Sequence, residues 1–123
     1  MSVITQVPRT PILGLAATVF REGAVTVVAL QGEADRATLH VAVDALSDAI
    51  TDGDGDVVVD LEEMSFIDSG ALRALLRARE TLQASGRHLT LRSPSRIAAR
   101  LLGVFGLDHL VGVQSSIEGI ETP

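Results

Sequence analysis

Cysteine, lysine, tryptophan and tyrosine are all absent from this 123-residue chain. Without cysteine it has no disulfide, thiol nucleophile or thiolate metal ligand of its own. Without lysine there is no P-loop lysine, no Schiff base and no Ser-Lys catalytic pair. Aromatic residues make up only 2%, too few for the stacking platforms of single-stranded nucleic-acid binders. Arginine supplies the whole basic complement of 10 against 16 acids, a net charge of −6. The arginines are scattered and form no run, so nucleic acid is excluded as the expected partner. No apolar stretch reaches 18 residues, and the N-terminus lacks a basic segment followed by an apolar core and a cleavage site. The expectation is a cytoplasmic protein that does not insert into a membrane.

What is present suits one folded domain: 46% hydrophobic residues, 21% charged, and enough length for a single core. Pro8 and Pro11 mark residues 1–12 as a tail, with a domain over 13–118 and a short tail over 119–123. Val19-Phe20-Arg21 and Val25 to Leu30, around Glu22-Gly23, predict a β-hairpin whose second strand ends at Gly32. Leu39, Val43, Leu46 and Ile50 recur at helical spacing between Ala37 and Ile50, with Asp44 and Asp48 opposite. The continuous run Val57 to Leu61 predicts a central strand buried on both faces.

A second helix, Gly70 to Ala84, turns Ala71, Leu72, Leu75, Ala78 and Leu82 inward and Arg73, Arg77, Glu80 and Ala84 outward. Ser85-Gly86 stops it. His88 to Arg92 predicts another strand. Ser93 as cap and Pro94 in the first turn open a third helix that buries Ile97, Ala98, Leu101 and Leu102. Leu110 to Val113 suggest a last strand, and Ser116 to Ile120 a terminal helical turn. The order implies an α/β single domain: a mixed, mostly parallel sheet of four to five strands opened by a hairpin, with three to four helices packed on it.

Few residues suggest catalysis. His40, His88 and His109 fall on three different elements, which gives a histidine metal site little support. Ser69 lacks the Gly-x-Ser-x-Gly turn of a hydrolase nucleophile. Asp52, Asp54 and Asp56 are spaced like calcium-loop ligands, but the required sixth-position glycine is Val57, at the head of the strongest strand signal; an Asp/Gly-rich turn is the better account. No metal, cofactor or reaction is expected.

The strand-to-helix junction at Asp68-Ser69 places a carboxylate and a hydroxyl where unpaired N–H groups and the helix dipole favour an anion, or where an ordinary cap belongs. Glu33 and Asp35 also follow a strand, as do Ser93 and Ser95. These three polar loops either share one sheet edge as a binding face or are all caps and turns. Arg73 and Arg77 either pair with a partner's acids or form a solvated helix face.

Gln31-Gly32-Glu33-Ala34-Asp35, Val57-Val58-Val59-Asp60-Leu61, Phe66-Ile67-Asp68-Ser69, Ser93-Pro94-Ser95 and Gly106-Leu107-Asp108-His109-Leu110, in this order, resemble the STAS-domain family over about Leu13 to Glu118. The resemblance implies a non-enzymatic anti-sigma-factor antagonist that binds an anti-sigma factor with a histidine-kinase-like ATPase fold and frees a sigma factor. The resemblance also allows a subunit beside the ATPase of a lipid-transport complex, or a stressosome-type scaffold; whether the chain is a monomer or a homodimer stays open. It points to Glu33, Asp35, Asp68, Ser69, Gly70, Arg73, Arg77, Ser93 and Ser95 as the partner-binding residues. It further implies phosphorylation by the partner at the helix N-terminus, where a dianion abolishes binding. In the family's usual Asp-Ser-Ser-Gly or Asp-Ser-Thr-Gly loop the second hydroxyl is the acceptor, and that position here is Gly70. The hydroxyl directly after the aspartate, used in stressosome-type members, is Ser69, the phosphorylation candidate.

Overall fold

The computed structural model describes residues 14–111. The expected tails over 1–12 and 119–123, the end of the last predicted strand at Gly112-Val113 and the helical turn at Ser116–Ile120 lie outside the described residues. Strands β1 (Leu15–Glu22) and β2 (Val25–Ala34) form the hairpin, followed by α1 (Leu39–Asp52), β3 (Val57–Ile67), α2 (Ser69–Gln83), β4 (Leu89–Arg92) and α3 (Arg96–Val104). Of the predicted last strand, Leu110 instead ends a short 3-10 turn, Asp108–Leu110, while Val111 makes a single parallel bridge to Leu91.

The sheet order is β1-β2-β3-β4, with β1 antiparallel and the other strands parallel to one another. This is the expected mixed, mostly parallel α/β domain opened by a hairpin, realised with four strands and three α-helices among the described residues. One sheet face carries Val28, Leu30, Val57, Val59, Leu61, Leu89 and Leu91 into a core closed by Leu46, Leu72, Leu75, Leu82 and Leu102 from the helices.

β3 departs from its expected form twice. It runs six residues past Leu61, and its inward positions change from every second residue (Val57, Val59, Leu61) to every third (Met64, Ile67). Two irregularities against β2 account for this, one between Ala29 and Gln31 and one between Gly32 and Glu33, each giving β3 an extra residue. The Asp60 carboxylate accepts from the Glu62 N–H at 2.9 Å in the first, and the Ser65 hydroxyl donates to the Gly32 carbonyl at 3.1 Å in the second. Gly32 lies inside β2, which continues to Ala34.

β3 is also not buried on both faces. Val58 and Asp60 point to the face away from the helices and are half-buried. Arg92, on edge strand β4, crosses that face: its guanidinium donates to Asp60 at 3.1 Å and to Glu22, on the opposite edge strand β1, at 3.0 Å. Sheet twist brings these diagonal corners together. Burial pulls the Arg92 pKa down, but hydrogen bonds and charge from Glu22 and Asp60 outweigh it and leave the pKa raised.

The helices carry two further corrections. In α1 the inward stripe is Ala42, Ala45, Leu46 and Ala49, whose small side chains let the helix lie close to β1 and β2; Val43 is displaced to the rim and exposed. In α3 only Ala98 and Leu102 are fully buried, whereas Ile97 is 62% exposed. The α3 cap is Ser95, not Ser93: its hydroxyl accepts from the Ala98 N–H at 3.1 Å, and the helix begins at Arg96, two residues later than Pro94 suggested.

Candidate functional site

At the β3–α2 junction, Asp68 is extended (φ −102°, ψ −179°) and its carboxylate accepts from the Ala71 N–H at 2.9 Å, so Asp68 is the cap of α2. Ser69 follows as the first helical residue, exposed, with no side-chain hydrogen bond among the described residues. Gly70 completes the first turn; a Cβ there would meet only Asp68 Oδ1 at 3.4 Å and Leu39 Cδ2 at 3.8 Å, ordinary contact distances. A hydroxyl-bearing residue at 70 is therefore sterically admissible, and its absence is a matter of sequence, not of space.

The β2–α1 turn lies against this junction. The Asp68 N–H donates to the Ala34 carbonyl at 3.0 Å, locking the two loops at the carboxyl ends of neighbouring parallel strands. Asp35 turns its carboxylate back on its own chain, accepting from the N–H groups of Ala37 at 3.0 Å and Thr38 at 3.1 Å. The Thr38 hydroxyl accepts from the Asp35 N–H at 3.0 Å and donates to the Glu33 carbonyl at 2.9 Å. Asp35 thus shapes the turn, while the Glu33 side chain faces solvent.

Phe66 is 45% exposed at the carboxyl end of β3, two residues before Asp68, and opposite Glu33 in the sheet register. Sequence reading did not mark it as a surface residue. The signal was Glu62-Glu63 inside an apolar strand, a break in alternation that the bulges convert into a changed facing. Arg73 and Arg77 extend the exposed surface along α2, and neither makes an ion pair among the described residues.

Ser93 and Ser95 do not join this group. Arg92 at the end of β4 stands opposite Asp60, eight positions before Asp68, so β4 ends level with the first part of β3 and the Ser93 loop leaves the sheet well before the β3–α2 junction. Two of the three polar loops share the edge and the third does not. Ser93 is left-handed (φ 56°) and exposed, and Ser95 is spent as the α3 cap.

The Asp/Gly-rich loop before β3 is organised by Arg87, whose guanidinium donates to the carbonyls of Gly55 at 2.8 Å, Gly53 at 3.0 Å and Ile50 at 3.1 Å. Its carbonyls already face a fixed cation. Asp56 accepts from the His88 N–H at 2.9 Å. Among the described residues no three His, Asp or Glu side chains are grouped to hold a metal ion, and no helix is long and apolar enough to cross a membrane.

The chain matches the family model described as "Mlab, STAS domain" over residues 17–112. No curated protein matches it. Among solved structures it resembles the anti-sigma factor antagonist SpoIIAA in its unphosphorylated form, with 21% identity, TM-score 0.69, and coverage of 88% of this chain and 89% of that one. An anti-sigma factor antagonist from Mycobacterium paratuberculosis matches with 23% identity, TM-score 0.71, and coverage of 79% and 82%. Phosphorylated SpoIIAA, the Bacillus cell fate determinant, matches with 20% identity, TM-score 0.62, and coverage of 88% and 92%.

Proposed function

The chain belongs to the STAS domain family, and from that premise we propose that it is a non-enzymatic anti-sigma-factor antagonist that binds its partner through the joined β2–α1 and β3–α2 loops. The observation that carries this reading is the Asp68–Ala34 hydrogen bond at 3.0 Å, which fixes the two loops as one surface with Ser69 exposed on it. Glu33, Phe66, Ser69, Gly70, Arg73 and Arg77 form that surface. Phe66 supplies an apolar anchor, and the arginines receive carboxylates of the partner. The partner is an anti-sigma factor with a kinase-type ATPase fold, and ATP and magnesium belong to it.

Ser69 is the modification site in this reading. A phosphate there would sit at the N-terminus of α2, where the free N–H groups of the first turn favour it, and beside the Asp68 carboxylate, which opposes it. The dianion would stand on the binding surface and end binding by repulsion and desolvation. Incubation with ATP and the cognate kinase, followed by phosphate mapping in wild type and Ser69→Ala, tests the assignment. Label confined to Ser69 and lost in Ser69→Ala is expected; label that survives in Ser69→Ala removes it.

Gly70 favours a second reading. With no hydroxyl at the family's usual acceptor position, the same surface serves a constitutive complex, such as a STAS subunit beside the ATPase of a lipid-transport system. Co-purification with a transport ATPase, and no phosphate on the chain after incubation with the kinase, would select this reading over the first.

A further inference from the structure

α3 keeps apolar side chains in water beside those it buries. Ala98 and Leu102 enter the core, and Leu101 packs against it, half-buried. Outside the core, Ile97, Val104 and the capping residue Phe105 are 62%, 75% and 46% exposed, three of the five large hydrophobic residues exposed among the described residues. Ile97 and Val104 lie two turns apart on one side of the helix, with Leu101 between them. Arg96 and Arg100, one turn apart, form the adjoining row, both exposed and neither in an ion pair among the described residues. The flank beyond the arginines holds only Ala99 and Gly103.

Charge is sorted along this part of the chain. No acid occurs from Thr81 to Leu107, although the whole sequence carries 16. Arg87 and Arg92, in the same stretch, are engaged by the loop carbonyls and by Asp60 and Glu22, which leaves Arg96 and Arg100 unpaired. α3 packs on β3, yet Glu62 and Glu63 of that strand make no ion pair with it. Asp108 and His109 follow in the 3-10 turn, past the carboxyl end of the helix. Ile97 and Val104 project as a ridge and form no groove, so they suit a covering that yields around them. Arginines along one side, with no acid in the helix, require that covering to be negatively charged.

We propose that α3 rests on an anionic lipid bilayer, lying in the plane of the interface without spanning it. Ile97, Val104 and Phe105 enter the boundary between head groups and acyl chains, and Arg96 and Arg100 meet the lipid phosphates, which a guanidinium binds through parallel N–H donors. Three apolar side chains or two arginines alone are a weak anchor, so the contact needs both and is reversible. The net charge of −6 holds the rest of the molecule off the bilayer and orients it with α3 inward. None of these residues belongs to the joined β2–α1 and β3–α2 surface, so losing one contact leaves the other intact.

Co-sedimentation of the full chain with vesicles tests this, using equal parts phosphatidylglycerol and phosphatidylcholine against phosphatidylcholine alone, with circular dichroism as the folding control. The wild type is expected on the anionic vesicles, released by high salt and absent from the neutral ones. Val104→Asp, Ile97→Asp and the pair Arg96→Glu/Arg100→Glu should each lower the bound-to-free ratio by roughly tenfold or more. The pair Arg96→Lys/Arg100→Lys should keep most of the binding, because the charge is retained. A wild type that stays off anionic vesicles, equal binding to neutral ones, or binding that survives the α3 substitutions overturns the proposal. Self-association in solution that Val104→Asp abolishes, without vesicle binding, also overturns it and assigns the ridge to a protein contact.

Discussion

Asp68 serves two purposes: its backbone N–H reaches the Ala34 carbonyl and its carboxylate caps α2 by accepting from the Ala71 N–H. Only the second depends on the side chain. Asp68→Ala should therefore lower stability by about 1 kcal/mol, the ordinary value of a cap, and Asp68→Asn should recover most of it, both read by urea denaturation. Gly70→Ser should leave the fold intact and raise stability by up to about 0.5 kcal/mol, since the site has room for a Cβ and serine is a better helix former. In the kinase assay it should add a phosphate at the family's usual acceptor position. Arg87 has more to lose: Arg87→Met leaves three loop carbonyls without their donor, at an expected cost of about 1–3 kcal/mol by the same measurement.

Among the elements, β3 shows how a strand can aim residues at a site. Its two extra residues change the inward spacing so that Ile67 enters the core and Phe66, three residues before Ser69, faces out. Ser65→Ala removes the side-chain bond to the Gly32 carbonyl that holds the second irregularity. The expected result is a loss of about 1 kcal/mol and faster amide exchange around Phe66, with exchange at Val57 to Val59 unchanged. Gly32 itself has a positive φ of 112°, and a Cβ there would run into the Gly14 carbonyl, so Gly32→Ala should destabilise the hairpin.

At the scale of the whole molecule, Arg92 joins strands β1 and β4 across two intervening strands, so it acts on the shape of the sheet and not on one local contact. A cation whose folded pKa is raised contributes stability that is fully present below its unfolded value and lost only as pH rises through the folded one. For arginine both lie far above neutrality. The stability difference between wild type and Arg92→Met should thus stay constant from neutral to mildly alkaline pH and shrink with added salt, as measured by thermal unfolding in buffers of increasing ionic strength.

Reading the sequence alone reached the fold class, the order of the elements, the inward face of α2 and the position of Asp68 and Ser69 at a helix start. Each of these rests on local physics: helical spacing of apolar residues, β-branched runs, and the preference of Asp for a helix cap. What needed the tertiary structure was every feature set by a neighbour. Val43 and Ile97 are apolar at helical spacing, yet alanines take the contacts nearest the sheet in α1, and α3 buries a different stripe. The strand past Leu61 was hidden because its irregularities exist only in register with β2. The separation of Ser93 and Ser95 from the Asp68 loop follows from β4 pairing only with the first part of β3, a long-range registration that side-chain periodicity does not encode.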